Sequence, residues 1–190
     1  MTLLILGLLL FLGTHAMPMI APNVRPAVVA NIGIMGWQAI YSLLALIGFV
    51  LIVFGYSAAH PTALVLYNSP LWFKHLDLLL MLPVFPLLFA AYLPGRIQQI
   101  TKHPMLLAVK IWAFAHLLVN GALTDLLLFG GFLIWAVAAR ISLKHRSGVP
   151  VQGAPAHSAN DAIAVIGGLV VYLLFLFWLH RALIGVSPFG

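Results

Sequence analysis

GWQAIYSLLALIGFVLIVFGY, the run from Gly36 to Tyr56, carries no charged side chain and ends just before His60-Pro61. At about 1.5 Å per residue a helix of this length crosses the roughly 30 Å hydrocarbon layer of a bilayer. In lipid, a helix also satisfies its own backbone polar groups. Outward from this run the same alternation of apolar stretch and breaker recurs. Towards the amino end lies Leu3 to Met17, closed by Pro18 and Pro22. Towards the carboxyl end come Leu71 to Tyr92, stopped by Pro94-Gly95, and Pro104 to Val119, broken at Asn120-Gly121. A proline in a first helical turn lacks only a donor that would be idle there. Thr124 to Arg140 and Asp161 to Leu183 complete the set, with the polar stretch Ser142 to Asn160 as the only long loop. The sequence therefore predicts an all-α protein, an integral membrane six-helix bundle forming a single transmembrane domain over residues 1–190.

Composition agrees. Of 190 residues, 64% are hydrophobic and 6% charged, where a soluble domain carries about 25% charged. No room is left for a soluble catalytic domain. Cysteine is absent, which excludes disulfides, iron–sulfur clusters, thiolate ligation and covalent c-type haem attachment. The net charge of +6 reflects topology rather than a nucleic-acid-binding face, because the basic residues are scattered among apolar spans. The first run has no Lys or Arg before it, so it reads as a true helix rather than a secretory address. Arg25, Arg96, Lys102, Arg140, Lys144 and Arg146 border one face of the membrane, against Lys74 and Arg181 on the other. Basic residues are retained on the cytoplasmic side. The expectation is a multi-pass protein of the bacterial inner membrane, in contact with membrane lipid, with both termini periplasmic.

Histidine is the unusual residue, with eight copies against three acids, Asp77, Asp125 and Asp161, and no glutamate. Carboxylate-pair catalysis is thereby disfavoured. His60, His145 and His157 fall in loops and read as solvated or interfacial, whereas His15, His75, His103, His116 and His180 fall in or beside spans. An ionisable group inside a bilayer helix is a functional hypothesis by default. His116 lies thirteen residues beyond His103, about 20 Å along its helix. It shares a stripe with Trp112, Ala113 and Asn120. Two readings stand for it, a neutral ring satisfied by a hydrogen bond between helices or a ligand. His15 lies in a first helix whose Gly7 and Gly13 leave space for a backbone or a flat cofactor. Two imidazoles from different helices can clamp a haem iron, with His75, His180, Met17, Met81 or an open position as alternatives to His15. His103 reads as a helix cap, and Lys110, on its face, as a snorkelling cation or a propionate counter-ion. Asp77 is expected to pair with Lys74, Asp125 and Asp161 to serve helix starts, and His180 with Arg181 to anchor at the interface. No P-loop, dinucleotide fingerprint, zinc-protease motif or nucleophile elbow occurs.

Leu8 to His15, Lys102 to Leu107, Lys110 to Gly121 (KIWAFAHLLVNG), and Trp178-Leu179-His180 with Gly185 to Gly190 together resemble NnrU-type membrane proteins over essentially the whole chain. That family is associated with bacterial denitrification, in nitrite and nitric oxide metabolism. It is similar to the plastid 15-cis-zeta-carotene isomerases, which use a histidine-ligated haem b. The resemblance implies haem b here, with His116 and His15 as the matching axial ligands. The isomerases carry a cysteine three residues before the fourth-helix histidine, where this chain has Ala113, which counts against isomerisation through ligand exchange. Lys102-His103-Pro104 also resembles the helix entrance of isoprenylcysteine carboxyl methyltransferases. Three functions follow as expectations, in order: haem redox or nitric oxide chemistry supporting denitrification, haem-dependent isomerisation of a lipid-soluble polyene, and a non-haem membrane binding or assembly role.

Overall fold

The computed structural model describes residues 1–145 and 153–189, and its regular structure there is helical apart from one isolated bridge. Arg146, counted above with the basic loops, and Gly190 lie outside the described residues. The helices are α1 (Thr2–Ile20), α2 (Val24–Ala59), continued by a 3-10 turn at His60–Thr62, α3 (Phe73–Met81), α4 (Val84–Ala90), α5 (Arg96–Thr101), α6 (Pro104–Val119), α7 (Leu123–His145), α8 (Asn160–Leu174) and, after a π turn at Phe175–Leu179, α9 (His180–Ile184). Among the described residues, five stretches are long and apolar enough to cross a membrane, namely Thr2–Ile20, Val24–Thr62, Phe73–Ala90, Leu123–His145 and Asn160–Ile184. The remaining expected span, α6, is apolar but has 16 residues, a rise of about 24 Å.

Several boundaries differ from the expectation, each for a local reason. Pro18 does not close α1, which runs on to Ile20. So late in a helix a missing N–H breaks few bonds, and membrane helices tolerate proline. Residues before Gly36 are helical too, but α2 is interrupted at Gly33, with φ 76° and ψ 172°, a backbone conformation natural only to glycine. The single third span is two helices, α3 and α4. Pro83 lacks the N–H that would bond the Leu79 carbonyl, so Leu82 N–H turns to Leu79 O at 3.3 Å instead. That frees Leu78 O, which accepts the Tyr172 hydroxyl at 2.9 Å. Residues 142–145, expected to open the long loop, extend α7, where Lys144 and His145 suit the negative end of the helix dipole. The short helix α5 was not expected from the sequence. Its first N–H groups, on Arg96 and Ile97, donate to the Asp161 carboxylate at 2.8 and 3.1 Å.

Contacts divide the chain into two units. The first comprises residues 1–67 and 121–142. In it α1 lies antiparallel against α2, with Leu4 facing Gly55, Gly7 facing Ile52 and Phe11 facing Gly48. A β-carbon at Gly7 would stand 2.6 Å from the Ile52 nitrogen, and one at Gly48 would stand 2.8 Å from the Phe11 nitrogen. Glycine here lets backbones touch, which is how helices associate in lipid without a hydrophobic driving force. Leu4, Leu8 and Ile52 form the buried centre, with Phe11, Leu12, Tyr56, Leu127, Leu128 and Phe132 around it. Leu66 N–H to Gly121 O and Leu123 N–H to Leu64 O, both 2.8 Å, tie the segment after α2 to the start of α7.

The second unit comprises residues 68–120 and those from 143 onward. Its core of Val84, Leu87 and Ala108 joins α4 to α6. Gly168 of α8 rests on Pro86 of α4, with Ala90 and Ala164 fully buried. Asn160 holds the approach to α8 by donating to the carbonyls of Pro94 (2.8 Å) and Pro155 (3.0 Å).

Candidate functional site

Each candidate histidine is set by its own helix before any neighbour is involved. On α6, His116 donates Nδ1–H to the Trp112 carbonyl, 3.0 Å away. A carbonyl only accepts, so in the neutral ring the proton sits on Nδ1 and the lone pair on Nε2. The Trp112 ring lies 5.6 Å from the imidazole, and Asn120 donates its side-chain amide to the His116 carbonyl at 3.0 Å. Ala113 is fully buried. The stripe read from the sequence is therefore present in its local contacts. His103 stands at the N-cap of α6, its carbonyl accepting Leu107 N–H at 3.1 Å, and Lys110 lies on the same helix.

Asp77 of α3 was missed as a partner. Instead of pairing with Lys74, it brings Oδ1 to 4.0 Å from His116 Nδ1, both side chains being 16% exposed. Asp77 Oδ1 is buried and receives no hydrogen bond.

His15 repeats the local arrangement in the first unit. Its Nδ1 is 2.7 Å from the Phe11 carbonyl, which again assigns the proton to Nδ1. Phe11 stacks on the ring at 4.3 Å, and Tyr41 of α2 and Trp135 of α7 meet it edge-on at 5.5 and 6.0 Å. The indole Nε1 of Trp135 is buried without a partner. Of the two glycines expected to make room, Gly7 faces the α2 backbone and Gly13 faces open space.

In a second polar cluster His60 is exposed, as expected of it, yet has partners, and Asp125 stands in the first turn of α7, as expected, but is buried. Asp125 is 1% exposed and accepts the Tyr56 hydroxyl at 2.6 Å and Ala122 N–H at 2.9 Å. His60 stacks on Tyr56 at 4.9 Å, with Nδ1 at 2.9 Å from Thr124 Oγ1 and 3.4 Å from Asp125 Oδ1. Tyr56 and His60 stand four apart at the end of α2, a spacing legible in the sequence, but the acid is supplied by α7. All three acids are thus engaged: two beside histidines and one at α5.

The other histidines lie elsewhere. His180 opens α9 with Nδ1 2.8 Å from Val186 O. His75 is exposed, beside a small cleft with Lys74, Leu78 and Phe189. His157 accepts Ala159 N–H at 3.1 Å, and His145 ends α7. Among the described residues no three His, Asp or Glu side chains gather to hold a bare metal ion.

Long apolar helices with histidines and carboxyl groups lodged within them define a helical membrane protein. The chain belongs to the NnrU family, whose model, described as NnrU protein, matches residues 3–188. No curated protein and no solved structure matches it.

Proposed function

We propose that this chain is a haem b-binding membrane protein that supports nitrite and nitric oxide metabolism, through redox or nitric oxide chemistry at a histidine-ligated iron, with His116 and His15 as the candidate ligands. The observation that carries the reading is the common setting of the two imidazoles. Each anchors Nδ1 on the carbonyl four residues before it. Each also neighbours a buried polar atom without a partner, Trp135 Nε1 in one unit and Asp77 Oδ1 in the other. Hydrogen bonding of one ring nitrogen to a fixed acceptor is how proteins orient a histidine that ligates through the other.

When bound, the haem would supply an iron able to change oxidation state and take up a diatomic gas. The chain's own residues would hold and shield it. Phe11, Tyr41 and Trp135 restrict rotation of the His15 ring. Trp112 and Asn120 flank His116. Lys110 would offer a cation to a propionate, and His103 marks the end of α6 nearer that charge. Ala113 offers no sulfur, which favours this reading over a polyene isomerase that exchanges a thiolate. Six crossings of the bacterial inner membrane with periplasmic termini belong to the same proposal. The 16-residue α6 would make the sixth where the bilayer thins around it.

Nitric oxide added to the dithionite-reduced purified protein tests the function. A five- or six-coordinate nitrosyl spectrum is expected, together with impaired nitrite or nitric oxide reduction and an unchanged carotenoid profile in a deletion strain. An unaltered spectrum, or accumulation of a cis-polyene with normal denitrification, would overturn the reading.

A further inference from the structure

Asp77 presents an anomaly that the fold does not resolve. An unpartnered buried polar oxygen is costly, and in lipid no water offsets it. Yet Asp77 Oδ1 has no donor in the resting arrangement while His116 Nδ1 stands 4.0 Å away. The cause lies in the competition for one proton: Nδ1–H is given to Trp112 O at 3.0 Å. A small rotation of the imidazole about its Cβ–Cγ bond, or a shift of α3 against α6, moves that N–H from the carbonyl towards the carboxyl oxygen. The surroundings of Asp77 are polar from more than one side. His116 of α6 faces it, and Tyr172 of α8 donates to the Leu78 carbonyl, one residue along α3.

We infer that Asp77 is a positioning residue for His116, accepting its Nδ1–H when Nε2 ligates iron, and so sets the electron richness of that ligand and the reduction potential of the bound haem. The inference rests on the haem reading given above and deepens it. The chemistry is general: a carboxyl oxygen polarises the N–H of a ligating imidazole more strongly than a peptide carbonyl does. The ring then donates more electron density to the metal, and the higher oxidation state gains. Ligand identity is unchanged, so the effect is a shift of potential and not a loss of binding.

Spectroelectrochemical titration of the haem-loaded full-length protein, wild type against Asp77→Asn and Asp77→Leu, tests this. Asparagine keeps the shape and removes the charge; leucine also removes the acceptor, and serves if the first variant does not accumulate, because apolar replacement of a buried polar group is often tolerated. The haem-to-protein ratio and Soret position should match wild type in both variants. The ratio of reduced to oxidised protein at a given applied potential should rise at least tenfold in Asp77→Leu, an upward midpoint shift of about 59 mV for one electron, with Asp77→Asn between the two. Asp77→Glu should remain within a fewfold of wild type. Full haem binding with unmoved potentials would overturn the role of Asp77 while leaving the haem reading standing. Absence of haem from the wild-type protein would overturn both.

Discussion

Gly7→Ala and Gly13→Ala, the same substitution in the same helix, are expected to change stability in opposite directions. A β-carbon at Gly7 falls 2.6 Å from the Ile52 nitrogen and 2.9 Å from Leu51 atoms, whereas one at Gly13 meets nothing within 4 Å. The α2 backbone cannot yield as a side-chain tip would, so Gly7→Ala must push α1 away from α2. It should also loosen the packing of Leu4, Leu8 and Ile52. Overpacking of this kind costs about 1–3 kcal/mol. Gly13→Ala relieves the entropic penalty of glycine in a helix and should gain up to about 1 kcal/mol. Thermal unfolding of the detergent-purified variants, followed by tryptophan fluorescence, measures both. Equal melting temperatures for the two would show that the α1 and α2 backbones do not meet at Gly7.

Asp125→Ala should be the most damaging single change among the polar residues. The carboxylate accepts from Tyr56 and from Ala122 N–H and adjoins His60, so its removal strands at least two donors in a buried setting. Breaking a buried charged network by deleting one partner costs about 3–5 kcal/mol, a large part of the whole stability of a small domain. Tyr56→Phe removes a single hydroxyl and should cost about 1–2 kcal/mol. The double variant should cost less than the sum of the two, because the Tyr56 hydroxyl is no longer left waiting for an acceptor. Unfolding of the four proteins in one detergent gives the coupling; strict additivity would mean that the 2.6 Å contact contributes nothing.

The spans were legible because lipid imposes long uncharged runs, and Gly36 to Tyr56 shows this directly. The divisions inside them were less so. Pro83 sits in an apolar run where hydropathy alone sees continuity, and the break depends on where Leu82 N–H and the Tyr172 hydroxyl go. The helix α5 is too short for a periodic signal and depends on an acid from the start of α8. In the site, the contacts of His116 with Trp112 and Asn120 follow from helical spacing alone. Those with Asp77 and Asp125 do not, because each pair joins separate helices. His60 is exposed, as a loop position suggests, but its partners Thr124 and Asp125 lie more than sixty residues later and could not be read from its own segment.

The central claim is that His116 ligates a haem iron, and the absorption spectrum of the detergent-purified protein tests it most directly. Reduction with dithionite should sharpen a Soret band and reveal the α and β bands of a b-type haem, near one haem per chain, in wild type. His116→Ala should abolish or shift those bands, while Lys110→Ala keeps the ligation. A folded, monodisperse wild-type protein with no Soret band after haem supplementation, or a His116→Ala spectrum identical to wild type, would contradict the account.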